Sequence, residues 1–352
     1  MNRIRVLFLP GVDSDNTNAQ SLNVREIALR LDPERFDSTF WYEREPDPRL
    51  RLLGVRLLQL PSRGKTLRIL REMLAGYDLV AYMDYSPASY MFVRIPRQVR
   101  RAKTVMHLEA PTTQLTNPSP QLRRLYEGVR SRCDVYTGIT GFVADEFYGV
   151  TKKKVSYILP VGVDTSLFSP PAARINAVPV VLFAGTLMER KGPQYVVDAA
   201  AKFPQTTFRL VGAGRDGFEE VLRRKIVRSG LKNVTLEGPR TQVQMLEIMR
   251  RSDIFLLPSR LEGIPKVTLE AAATGLPCVV FRDYATPSVI DGVTGFQVAT
   301  RDEMMQALAR LIADRSLRQG VGEAARKHMA NFDWDLVASQ WEKAYLEIGT
   351  AR

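Results

Sequence analysis

Short apolar runs alternate with stretches of helical period along the whole chain, and this rhythm restricts the possible folds more than any other feature. Runs at residues 4–9, 38–42, 79–83, 104–107, 135–139 and 155–159 read as strands. A second series follows at 180–184, 207–211, 234–237, 254–257, 278–281 and 295–298. Helical segments such as 24–31, 195–203, 245–251 and 303–313 fit between them, which predicts parallel sheets flanked by helices. The stretch Ser169-Pro170-Pro171-Ala172-Ala173 separates the two series and marks a domain boundary. A length of 352 residues suits two domains. Residues 334–348 predict an amphipathic helix with Trp334, Val337, Trp341 and Tyr345 on one side. The expected architecture is two doubly wound α/β domains with a cleft between them, ligands sitting outside the carboxyl ends of the strands.

Composition narrows the functional classes. No run of about 18 apolar residues exists, so no membrane-spanning helix is expected. Residues 6–9 are too short for a signal-peptide core and read as a first strand. The two cysteines, Cys133 and Cys278, lie far apart, which fits a reducing cytosol and not a disulfide framework. The net charge of +12 fits nucleic acid, anionic lipid or phosphorylated substrates. One segment concentrates it. Between 49 and 71 stand Arg49, Arg51, Arg56, Arg63, Lys65, Arg68 and Arg71, interleaved with leucines and no acid. This is a solvated helix face or a patch that meets an anionic membrane or a charged acceptor. No basic–aromatic interleaving points to nucleic acid.

The segment 253–281 carries the clearest chemistry. A strand ending at Leu257 leads through Pro258 into a loop, Ser259-Arg260-Leu261-Glu262-Gly263-Ile264. Pro265 suits the first turn of a helix running to Thr274, and Gly275-Leu276-Pro277 stops it. Free N–H groups at that helix start favour an anion such as a diphosphate. Glu262 in the loop can accept from sugar hydroxyls, and Glu270 can take the paired hydroxyls of a ribose. By spacing alone, a loop acid and a solvent-facing helix acid fit as well. His107 ends an apolar run at a strand's carboxyl end, where either a ligand-facing or a buried, satisfied histidine fits. His328 lies in a charged helical stretch and reads as a surface residue. Gly212-Ala213-Gly214-Arg215-Asp216-Gly217 fits the dinucleotide fingerprint GxGxxG, with Glu237 following at another strand end. It falls on the second strand of its domain, not the first, which counts against an NAD-dependent oxidoreductase.

As a set these motifs resemble family 4 glycosyltransferases, the retaining GT-B class. "PSRLEGIPKVTLEAAATGLPCVV" looks like the family's Glu-x7-Glu region. "YILPVGVDTSLFSP", "VVLFAGTLMERKGPQYVVDAAAKF", "FRLVGAGR", "NVTLEG" and "DGVTGFQV" follow the family's order. The resemblance is strong from Val155 onward and weak before it. It implies a first, acceptor-side Rossmann-like domain (1–169) with the helix of 334–352 crossing back onto it. The second domain (170–333) would bind the nucleotide-sugar.

The resemblance also assigns roles. Glu262 would contact the donor sugar and Glu270 the nucleotide ribose, with Gly263, Ile264, Pro265, Lys266 and Val267 around sugar and phosphate. Lys191, then Arg190, would supply cations to the diphosphate from the loop opened by Gly185 and Thr186. Gly212, Gly214 and Arg240 would line the nucleotide side, and Gly11 the first-domain loop. His107 would face the donor sugar, with Glu109 near the place of the family's usual Asp. The chain departs from the family at Thr186 (often Arg), Pro265 (often Gly), Asn18 and Ala19 (often two Gly) and Ser288 (often acidic).

The activity implied is metal-independent transfer of a sugar from a UDP- or GDP-sugar to a glycan, lipid-linked or small-molecule acceptor, with retention. No cofactor or metal is expected. The expected location is cytosolic, on the inner face of a membrane if the 49–71 patch docks there. A silent scaffold of the same fold, motivated by Asn18 and Ala19, is the second alternative beside the oxidoreductase.

Overall fold

The computed structural model describes residues 3–14, 19–61, 63–83, 102–111, 132–284 and 286–351, with isolated positions 120, 124 and 128. The chain divides into two compact units, Met1–Gly162 with Trp334–Arg352, and Val163–Asp333.

The first unit is a seven-stranded parallel sheet in the order β3-β2-β1-β4-β5-β6-β7. Its strands are β1 (Ile4–Gly11), β2 (Phe36–Tyr42), β3 (Arg56–Gln59), β4 (Leu79–Tyr82), β5 (Lys103–Leu108), β6 (Val135–Gly138) and β7 (Tyr157–Ile158). Helices α1 (Ala19–Ala28), α2 (Pro48–Arg51), α3 (Lys65–Met73) and α4 (Gly141–Thr151) are interleaved with them. The chain's last helix, α11 (Trp334–Thr350), belongs to this unit. Its apolar face buries Trp334, Val337, Trp341 and Tyr345, as the pattern predicts. Trp341 Nε1 donates to the Pro160 carbonyl at 2.9 Å, and Tyr345 meets Phe8 edge-on at 5.6 Å.

The basic segment is not one helix. It breaks into α2, edge strand β3 and α3, because Gly54 and Gly64 take positive φ and Leu58 turns into the core. Asn18, one of the two first-domain loop departures, lies outside the described residues, whereas Ala19 opens α1.

The second unit repeats the plan with six parallel strands in the order β10-β9-β8-β11-β12-β13. These are β8 (Val180–Ala184), β9 (Thr207–Val211), β10 (Val234–Leu236), β11 (Ile254–Leu257), β12 (Cys278–Phe281) and β13 (Gly295–Val298). Between them run α5 (Pro193–Lys202), α6 (Phe218–Arg228), α7 (Gln242–Arg250) and α8 (Lys266–Ala273), followed by α9 (Arg301–Ala313) and α10 (Arg315–His328). Strands β8, β11 and β12 are apolar throughout and almost wholly buried, as strands covered on both faces must be. The first strand of this unit, β8, pairs with β9 on one side and β11 on the other. That is the switch point of a doubly wound sheet, where connections leave in opposite directions and neighbouring loops part to form a ligand crevice. Cys133 and Cys278 are buried, one in each unit, and neither is in a disulfide.

Because Trp341 is fully buried and anchors α11 to the first unit, Trp341→Ala is expected to destabilise that unit by about 3–5 kcal/mol. Chemical denaturation followed by far-UV circular dichroism would measure it; a loss below about 1 kcal/mol would mean the helix is dispensable.

Candidate functional site

Four loops meet along the carboxyl edge of the second sheet. The loop after β8 is zipped to that after β9: Gly185 N donates to Val211 O at 2.9 Å, and Leu187 N to Ala213 O at 2.8 Å. Gly212 N in turn donates to Gly238 O beyond β10 at 2.9 Å. Glycine is required where these backbones cross. Gly212 has φ +151°, and a Cβ there would stand 1.9 Å from Gly185 O. Gly192, at φ +74°, lies so close to Pro258 that a Cβ would be 2.3 Å from its carbonyl oxygen. This approach brings the β8 loop against the β11 loop.

Glu262 occupies that junction and is buried. Its Oε1 accepts from Lys191 Nζ at 2.7 Å, Ser259 Oγ at 2.7 Å and Arg190 Nη1 at 3.3 Å. Arg190 Nη1 also donates to the Leu261 carbonyl. Burial raises the Glu262 carboxyl, but the charges of Lys191 and Arg190 and the hydrogen bonds from Lys191 and Ser259 outweigh it. The group is held below the ordinary carboxylate range and stays ionised. Ser259 and Gly192 were not singled out from the sequence. The Ser259–Glu262 spacing of three residues is a signal that the loop motif contained.

Pro265 stands just before α8, at φ −66° and ψ 114°, not within its first turn. Lys266 and Val267 are therefore the first helical residues, and their N–H groups have no acceptor inside the helix. Gly263, Ile264 and Pro265 are buried beside them. Thr268 Oγ1 donates to Pro265 O at 2.7 Å and meets Ser288 Oγ at 3.0 Å, which meets Thr286 Oγ1 at 2.9 Å. A chain of hydroxyls thus includes Ser288, the position where the chain departs from the often acidic residue of the family it resembles.

Glu270 lies one turn into α8, partly buried, and its carboxylate has no hydrogen-bond partner among the described residues. Burial pushes it up to about 7, only partly offset by Lys266.

The remaining predicted residues lie as follows. Gly185, at φ +148°, leaves room for the Lys191 stem, and Thr186 follows it on the same loop. Gly214 packs on Glu219, where a Cβ would come within 2.6 Å. Arg240 is 3.8 Å from Glu237. Glu237 itself is taken by Arg209 Nε at 2.5 Å and Nη2 at 2.8 Å, so the acid of the dinucleotide reading already has a bidentate partner. Gly11 ends β1 and lines a cavity of about 310 Å³ in the first unit, with Asp13, Trp41 and Arg44.

The sugar-facing role of His107 is corrected. Its side chain is wholly buried within the first unit, against Trp341 with ring centres 4.5 Å apart. Nδ1 shares a hydrogen bond with Thr137 Oγ1 at 2.5 Å, and Nε2 with Tyr345 OH at 2.7 Å. Burial lowers its pKa to about 3, so it is neutral at physiological pH. Glu109 accepts from Asn23 Nδ2 of α1 at 2.9 Å. His328 bonds the Pro287 carbonyl at 2.9 Å. Among the described residues no cluster of three or more His, Cys, Asp or Glu is arranged to hold a metal, and no helix is long and apolar enough to cross a membrane.

Two doubly wound units with a cation–carboxylate cluster at the second switch point define the GT-B class of fold. Residues 178–314 match the family model "Glycosyl transferases group 1", which bears out the likeness to family 4 glycosyltransferases. Among relatives, D-inositol 3-phosphate glycosyltransferase of Corynebacterium efficiens is 32% identical over 227 residues, covering 58% of this chain and 53% of that protein. A GDP-mannose-dependent monoacylated alpha-(1-6)-phosphatidylinositol monomannoside mannosyltransferase of Corynebacterium glutamicum is 26% identical over 247 residues, covering 63% and 64%. The matches thus span about half to two thirds of these relatives' lengths. Among solved structures, Anabaena Alr3699/HepE in complex with UDP-glucose has a TM-score of 0.82 at 19% identity, covering 98% of this chain and 100% of that one. Sucrose-phosphate synthase of Thermosynechococcus elongatus has a TM-score of 0.82 at 18% identity, with complete coverage of both.

Glu270, partly buried and without a hydrogen-bond partner among the described residues, gives a stability prediction. Its folded pKa lies above the unfolded value, so its favourable contribution is complete below about 4.5 and is lost as pH rises through 7. Glu270→Gln is therefore expected to raise stability at pH 8 by up to about 3 kcal/mol and to change little near pH 4.5. Denaturation midpoints at the two pH values would check this; equal effects at both would refute the raised pKa.

Proposed function

We propose that the chain is a glycosyltransferase that binds a nucleoside-diphosphate sugar at the carboxyl edge of the second sheet and transfers the sugar with retention, without a metal. The observation that carries this reading is the cluster of Glu262, Lys191 and Arg190 beside the start of α8. One carboxylate oxygen holds both cations, and the positive pole of α8 lies beside them. A diphosphate brings its own negative charge to this cluster and competes with Glu262 for Lys191 and Arg190. As the bond from anomeric carbon to phosphate breaks, those cations and the helix start stabilise the leaving diphosphate electrostatically. Glu262 then presents an oxygen to the sugar hydroxyls, and Glu270 accepts from the ribose. The relative named for a GDP-mannose donor and the solved complex with UDP-glucose support donors of this chemical class.

The acceptor falls to the first unit, where the cavity beside Gly11 and Asp13 is our candidate. A glycan, a lipid-linked or a small-molecule acceptor is the class we assign to it. A silent scaffold gains no support from the second unit, because the cation–carboxylate cluster there is complete. The oxidoreductase reading loses its ribose acid to Arg209.

Thermal-shift titration tests the donor site. UDP or GDP is expected to raise the melting midpoint, with the affinity falling at least about tenfold in Lys191→Ala, which removes a charge-assisted contact. Stabilisation by NAD, with none from nucleoside diphosphates, would sink the proposal.

The broken basic segment has a second role in this reading. Leu52 is 86% and Leu67 73% exposed, and Arg51, Arg63, Arg68 and Arg71 of the same segment are exposed as well. Exposed leucines and arginines in one segment fit an anionic bilayer surface, the apolar tips entering and the charges staying at the headgroups. Binding to vesicles of phosphatidylcholine with 30% phosphatidylglycerol (about that proportion) is expected to fall with salt and with the triple change of Arg63, Arg68 and Arg71 to Ser. Binding that ignores both would reject the patch.

A further inference from the structure

The second unit has another cavity, of about 340 Å³, built from the segment 170–176, the turn after α8 and one side of α10. Asp253, Thr274 and Gly275 on its wall stand at the amino ends of β11 and β12. It therefore opens on the edge of the sheet opposite the donor loops, separated from them by the length of α8, about 12 Å for eight residues.

Its charge is unbalanced. Arg174, Arg315, Arg318, Arg326 and Lys327 line it against only Asp253 and Glu323. Asp253 is already engaged by the Asn176 side chain and the Val180 amide, both at 2.8 Å. The guanidinium groups donate to neutral carbonyls. Arg174 reaches Arg250 O at 2.9 Å and Ser252 O at 2.8 Å, and Arg318 reaches Leu311 O at 2.6 Å and Ile312 O at 2.9 Å. Arg326 reaches Phe168 O at 2.8 Å and Ala273 O at 3.0 Å.

Carbonyls fix the direction of these groups without cancelling their charge. Among the described residues no acid forms an ion pair with any of the five cations, and Lys327 Nζ has no partner. Burial lowers Arg174 to about 10 although Asp253 works against it, and burial with the neighbouring Arg315 lowers Arg318 against Asp253 and Asp314. Cations gathered in this way repel one another, and a small anion relieves that repulsion while accepting from their remaining N–H groups.

We infer that this cavity binds the phosphate group of a small metabolite, held by Arg315 and Lys327 at the mouth and Arg318 within. The volume lies at the small end of the range for ligand sites, about 300–1,000 Å³, which suits a phosphorylated sugar-sized molecule. Pro170 and Pro171 offer it an apolar wall, and the exposed amide of Gln319 suits a hydroxyl. The site owes nothing to the donor loops, so it stands or falls apart from glycosyl transfer.

Isothermal titration of the full chain with glucose 6-phosphate, and separately with inorganic phosphate, tests it at constant ionic strength. Both are expected to bind saturably, and the ester no more weakly than the free ion. The double variant Arg315→Ser/Lys327→Ser should weaken both by at least about tenfold, while Lys191→Ala leaves them unchanged. Circular dichroism of the double variant checks that it is folded, and single variants replace it if it is not. Loss of binding in Lys191→Ala with retention in the double variant would overturn the inference. So would binding of inorganic phosphate without the ester, or no saturable binding at all.

Discussion

The candidate site depends on one interaction, the buried pairing of Glu262 with Lys191 and Arg190. A carboxylate taken out of water loses several kcal/mol of solvation, and attraction to cations repays this only when geometry is close. Here two cations and the Ser259 hydroxyl converge on a single oxygen, and the charge survives burial. The three contributors come from two loops that are remote in sequence. They meet because β8 and β11 are neighbours at the switch point, and because Gly192 lets one backbone press on Pro258. Sheet order and one glycine thus decide where the charges lie.

The two acids of the site are driven apart electrostatically. Glu262, with cations at hand, is held ionised, whereas Glu270, without a hydrogen-bond partner among the described residues, rises to about 7. Two carboxylates of the same type in one site, pushed in opposite directions, signal different duties. Glu262 is already an anchor in the protein's own charge balance. Glu270 is a partly buried acceptor whose ionisation costs stability, the kind of arrangement that persists where a ligand supplies the missing donors.

Much of the second unit is legible in the sequence. Strands β8, β11 and β12 coincide with their apolar runs, because a strand covered on both faces leaves an uninterrupted signal, and β9 and β13 match theirs although Arg209 and Gln297 interrupt them. Edge strand β3 carries no such signal: Arg56 and Gln59 are exposed and only Leu58 is buried, so it is hidden inside a basic segment of helical appearance. His107 shows a different limit. Its place at a strand's carboxyl end fits a ligand-facing residue, but the partners that bury it, Trp341 and Tyr345, lie on α11 far along the chain. Local pattern cannot reveal a tertiary partner of that kind. The same holds for Ser259, whose role appears only when its loop folds onto Glu262.

Helix α8 draws these elements together. Its amino end lies beside Glu262, and its side carries Glu270. At its carboxyl end the orphan carbonyls are not left to water: Thr274 O accepts from Arg174 Nη2, and Ala273 O from Arg326 Nη1 at 3.0 Å. Cations at the carboxyl end oppose the negative pole of the helix and steady its last turn. A helix of only eight residues is marginal by itself, so its direction must come from such contacts and from the burial of Leu269, Ala271, Ala272 and Ala273. The guanidinium groups at the far end therefore help hold the position of the N–H groups at the near end. An arginine that contacts neither phosphate nor sugar can still affect anion binding, through the placement of the helix that both ends share.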